Sequence, residues 1–133
     1  MSTESRLIAI ILAGLIALPL FFTVQIGLAA LGLTQFTLDP QNADYVLRAT
    51  PLWALIAPPL RVLILCIAFL LLARRSRWLA TIALIDVVVH TTGWLTIISN
   101  ASFTLPTGFI SFGLQGALIY VLIQAGYFRP RQS

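Results

Sequence analysis

The sequence predicts an all-α fold, a four-helix bundle integral to a membrane with both termini cytoplasmic. Three observations predict it. Of the 133 residues, 59% are hydrophobic and only 9% are charged. Soluble domains carry roughly 25% charge, so most of this surface must face lipid. The apolar residues gather in four stretches, 7–33, 51–73, 78–98 and 106–127. At about 1.5 Å per residue, stretches of this length match or exceed a roughly 30 Å hydrocarbon core. All eight basic residues are Arg, and all but Arg61 lie outside or beside those stretches. Residues 1–133 therefore form a single transmembrane domain.

The first span, 7–33, follows a short polar tail. It is far longer than the apolar core of a signal peptide, so it is expected to stay uncleaved. Its excess length predicts tilt or protrusion, and Pro19 offers a bend. Ala9, Ala13 and Ala17 put small residues on one stripe, either as a packing face or as chance in an Ala-rich helix. Thr34 to Thr50 is the one long polar connection. Asp39 before Pro40 is a good helix start, and Ala43, Val46 and Leu47 recur at helical spacing. A short interfacial helix over about 40–49 is predicted, resting on the membrane surface or covering a site.

The second span, 51–73, holds Pro58 and Pro59 in tandem, then Arg61. Each proline removes a backbone donor and crowds the turn before it. A kinked or broken helix is expected. If broken, its inner half begins near Pro59, and that positive end together with Arg61 attracts anions. If only kinked, Arg61 pairs with Asp86. Cys66, the lone cysteine, reads as a small core or lipid-facing residue and allows no intrachain disulfide.

Arg74, Arg75 and Arg77 form a tight basic turn, with Trp78 beside it as an interface anchor. The third span, 78–98, carries Asp86 and His90 four residues apart, hence on one helix face with Leu79, Ile82, Gly93 and Ile97. Pro106 opens the fourth span, which places Ser111 and Gln115 on one face. Gly113 and Ala117 form a small-xxx-small pair that admits a close neighbour, inside the bundle or in a second copy. Arg6, the basic turn, Arg129 and Arg131 all fall at one side by the positive-inside rule, which makes that side cytoplasmic.

Counted from the outer ends of their spans, Arg61, Asp86, His90 and Gln115 lie within roughly one helical turn of height. Ionisable groups at this depth are costly unless paired or employed. Two functions follow. One is binding or transport of a small anionic or amphipathic ligand at these four residues, with His90 able to carry a proton. The other is a non-catalytic accessory or structural subunit of a larger membrane complex, in which the four residues only fix helix register. No cofactor is predicted, although His90 leaves room for single axial ligation of a haem or pigment. No metal, nucleotide or nucleophile motif is present, so nothing supports an enzyme. The partners expected are the lipid bilayer and either a second copy or a larger membrane complex. The +4 formal charge is read as topology and not as nucleic-acid binding. The expected location is a cell membrane, most naturally a bacterial inner membrane.

Overall fold

The computed structural model describes residues 2–37, 40–98 and 107–129. Among them the fold is all-helical: α1 (Thr3–Ala30), α2 (Ala43–Ala49), α3 (Leu52–Ala73), α4 (Trp78–Ile98) and α5 (Thr107–Gln124), with a 3-10 turn at Thr34–Phe36. Three of these, α1, α3 and α4, are long and apolar enough to cross a membrane, while α5 is apolar but shorter. Large apolar side chains stand exposed on all four, among them Ile10, Leu63, Val88 and Tyr120. That is the surface expected where the solvent is hydrocarbon.

Helix α1 begins at Thr3, earlier than its apolar run. Ser2 caps it, its Oγ accepting the Ser5 N–H at 3.1 Å, and Glu4 sits favourably in the positive first turn. The helix ends before the predicted 33 because Gly32 adopts φ +77°. Leu33 N–H then reaches Leu28 C=O and Gly32 N–H reaches Ala29 C=O, the Schellman pattern that halts a helix. The same device ends α5 at Gln124, short of the predicted 127. Gly126 has φ +86°, and Tyr127 N–H bonds Leu122 C=O. Pro19 lies buried within an unbroken α1, and the Thr23 hydroxyl donates to Pro19 C=O at 2.6 Å.

Helix α3 corrects a sequence expectation. It runs without interruption through Pro58 and Pro59, so the broken-span reading fails. Prolines remove only their own two N–H donors, and tertiary packing holds the helix where they sit. Ala54 and Ala57 are buried, and Ala57 packs so close to α4 that a Cβ at Gly93 would meet it at 3.0 Å. Gly93 thus lets the two backbones approach at the proline turn.

The short helix α2 is also smaller than predicted. Residues Pro40 to Asn42 form a turn, and Asn42 takes the cap position without a side-chain bond. The predicted cap Asp39 lies outside the described residues, as do the Asn100–Thr104 link, Pro106 and Arg131; the side chain of Ile97 is likewise not described. The predicted apolar face holds: Ala43 is buried and Val46 and Leu47 are half-buried. Asp44 and Arg48 pair on the exposed side.

Helix α3 packs against both α1 and α4, and α5 packs against α1 and, less extensively, α4. The main core contains Leu12 and Leu15 of α1, Leu65 and Leu72 of α3, Leu79 and Ala83 of α4, and Leu118 and Leu122 of α5. A smaller cluster joins Ala57 and Ile64 to Val89. The polar residues of α3 and α4 lie at the junction of these clusters. Of the small-residue stripes, Ala9 is half-buried against the main core while the rest points outward. Ala13 and Ala17 are exposed, as are Gly113, Gly116 and Ala117, and nothing lies within 4 Å of a Cβ built on either glycine. Cys66 is exposed too.

Candidate functional site

Three helices bring the four predicted site residues together. Arg61 is one turn beyond Ala57 on the buried stripe of α3. Asp86 and His90, one turn apart on α4, both face it. Gln115 reaches in from α5. Arg61 Nε donates to Asp86 Oδ1 at 2.8 Å, and Arg61 Nη2 donates to Asp86 Oδ2 at 3.2 Å. This two-pronged contact uses the planar fork of the guanidinium. Gln115 Nε2 donates to Asp86 Oδ2 at 2.8 Å. Arg61 Nη1 lies 3.2 Å from His90 Nδ1. Arg61 has only donors, so in this contact Nδ1 is the acceptor.

The centre of this group is buried. Arg61 is 5% exposed, Asp86 0% and Gln115 2%. Ser111, one turn from Gln115 on the same face, is 2% exposed. His90 is half-buried. Opposite charges within one bidentate pair cancel, so the anion-attracting potential expected from a free Arg61 at a helix end does not arise. One acceptor in the network, Gln115 Oε1, is buried without a hydrogen-bond partner. Its amide cannot turn over to fix this, because Nε2 is needed by Asp86.

Aromatic residues that sequence reasoning passed over close the site on one side. The Phe112 ring lies 4.4 Å from His90 and 5.5 Å from Trp94, and Trp94 meets Phe109 edge-on at 5.3 Å. Helical spacing could have found them, since Trp94 is four residues from His90 and Phe112 is three from Gln115. Trp94 Nε1 is buried without a partner. A further polar link, Trp53 Nε1 donating to Thr92 Oγ1 at 2.9 Å, ties the start of α3 to α4. The Thr92 hydroxyl donates in turn to Val88 C=O at 2.9 Å.

A cavity of about 300 Å³ lies elsewhere, among Ser2, Glu4, Ser5, Arg75, Arg77 and Tyr127. Among the described residues, no three His, Cys, Asp or Glu side chains gather as a metal ion would require. Comparison with family models, curated proteins and solved structures returns no match. The site is therefore read from its own chemistry.

Proposed function

We propose that this chain is a non-catalytic structural subunit of a membrane assembly, a four-span bundle whose polar centre locks helix register. The observation that carries this reading is the buried set Arg61, Asp86 and Gln115, in which Asp86 accepts from both other side chains. A cargo site needs access and an unspent charge. Here the carboxylate already holds both the guanidinium fork and the amide. Buried ionic groups do not reliably add stability, but they penalise any register that separates them. In lipid that penalty is sharper, because no water can replace a lost partner.

The finer topology belongs to the same reading. The fourth span is α5, both termini and the Arg74–Arg77 turn lie on the cytoplasmic side, and α2 rests at the opposite interface. The chain resides in a bilayer, with the bacterial inner membrane as the proposed home. The outward-facing Gly113, Gly116 and Ala117 leave room for a neighbouring helix to approach closely, as a subunit of an assembly requires.

One observation favours the second reading, a small-ligand or transport site at Arg61, Asp86, His90 and Gln115. The unpartnered Gln115 Oε1 is an acceptor that a donor on a ligand would satisfy. A thermal-stability series on the purified protein separates the two. Wild type, Arg61→Gln and His90→Gln are heated with a panel of small anions and amphipaths. The structural reading expects lower melting temperatures in the variants, Arg61→Gln most of all, and no ligand shift that depends on Arg61. A ligand that stabilises the wild type, with the shift abolished in both variants while they stay folded, would establish the site instead. A shift that survives Arg61→Gln arises elsewhere on the molecule.

A further inference from the structure

The basic turn does more than mark one side of the protein. Its arginines line a cavity of about 300 Å³ where three chain segments meet: the first turns of α1 (Ser2, Glu4, Ser5, Ile8), the α3–α4 turn (Arg75, Arg77) and the end of α5 (Ala125, Gly126, Tyr127). Two arginines and one acid, Glu4, are among the residues that line it. Among the described residues no acid forms an ion pair with Arg75 or Arg77. Arg77 Nη1 instead donates to Arg129 C=O at 3.3 Å, which ties the turn to the chain beyond α5. The Arg129 side chain lies over Gly126, with its Nε 3.7 Å from a Cβ built there, and so adds a third cation at the rim. The positive end of α1 opens at the same place.

The backbone at Arg75 also bears on the choice of test variant. Among the described residues, three helices end in the same left-handed turn. Two use glycine there, Gly32 and Gly126, whereas the third uses Arg75 at φ +52°. Arg75 N–H bonds Leu72 C=O and Ser76 N–H bonds Leu71 C=O. A side chain in this conformation is strained where glycine is not. The strained position is occupied by a residue that lines the cavity.

We infer that this cavity binds a phosphate group, held by Arg75 and Arg77, with Ser5 and Tyr127 also among the residues that line it. Guanidinium forks match phosphate oxygens in pairs. The Ser5 and Tyr127 hydroxyls are the donors left for the remaining oxygens, because the Ser2 hydroxyl donates to Ser5 Oγ at 3.0 Å. The volume is at the small end of ligand pockets, which suits a headgroup and not a large cofactor. Trp78 and Tyr127 beside it are residues of the kind that settle at a membrane–water boundary. An anionic phospholipid headgroup and a soluble phosphate ester share this chemistry, and experiment distinguishes them.

The test is the melting temperature of the purified full chain in neutral detergent. It is titrated separately with phosphatidylglycerol, phosphatidylcholine and inorganic phosphate. Wild type is compared with Arg75→Gly, Arg77→Gln and the pair together. Arg75→Gly removes the charge while relieving the backbone, so its own fold is not at risk. The expected result is a rise of several degrees with phosphatidylglycerol. Each single substitution weakens the apparent affinity roughly tenfold, the usual effect of one lost charged hydrogen bond, and the pair abolishes the shift. A zwitterionic phosphatidylcholine, whose choline the arginines repel, gives little. A shift with inorganic phosphate, lost in the same variants, keeps the phosphate site and assigns it to a soluble ligand. No shift with any probe, or a shift unchanged in the double variant, overturns the inference.

Discussion

The two arginine-bearing regions of this protein use the same side chain to opposite ends. At the centre, Arg61 is spent within the chain: its fork is closed by Asp86, and Gln115 binds the same carboxylate. At the basic end, Arg75 and Arg77 border a cavity, and no described acid pairs with either. The cause is the solvent. A bare guanidinium is costly inside an apolar core, so a buried one comes with its partner from the same chain. At an interface water or a ligand can take that part, so no internal partner is needed. A buried arginine thus speaks first of architecture, and an interfacial one with space beside it speaks of recognition.

The sharpest way to break that contrast is at the centre. Asp86→Ala should leave Arg61 buried and alone, and cost about 3–5 kcal/mol. Reversible unfolding in mixed detergent measures it. Replacing both partners, Arg61→Met with Asp86→Leu, should recover part of that loss, because no buried charge is then left alone, although Gln115 Nε2 loses its acceptor. If the double variant is as unstable as the single one, the pair does more than cancel its own charge.

Glycine positions sharpen the comparison next. Gly93→Ala forces a Cβ to 3.0 Å from the Ala57 Cβ and should cost about 1–3 kcal/mol. The same unfolding assay reads it. Arg75→Gly should act in the other direction and stabilise the ligand-free protein by about 1 kcal/mol, through relief of the left-handed strain. A loss of stability there would show that the arginine side chain makes contacts worth more than the strain. The smallest effect is expected for Gly116→Ala. Nothing lies near that site, so the isolated chain should gain up to about 1 kcal/mol from helix propensity alone. If Gly116→Ala instead dissociates an assembly seen by detergent-corrected mass measurement, the outward stripe of α5 is a subunit contact.

Much of this was legible in the sequence because lipid exposure leaves a plain record. The apolar runs located α3 and α4 to within a residue. The grouping of Arg61, Asp86, His90 and Gln115 followed from counting residues along three helices. Helix ends were less legible. Apolar length alone missed that Ser2 extends α1 through polar residues and that Gly32 and Gly126 stop α1 and α5. The aromatic wall of Phe112 and Trp94 was within reach of the spacing argument but looks, in the sequence, like any other apolar residue.

What the sequence by itself determined is the helical class, the long apolar spans and the height of the polar residues. These depend on local hydropathy and the fixed rise of a helix. Only the tertiary structure decided that α3 continues through two prolines, that Arg61 is closed off by Asp86, and that Gly113, Gly116 and Ala117 face outward. Only it joined Ser2, Arg75 and Tyr127 around one cavity. Those outcomes depend on how helices rotate about their axes and which neighbours they meet. In a chain so uniformly apolar, rotation leaves almost no trace in the pattern of residues.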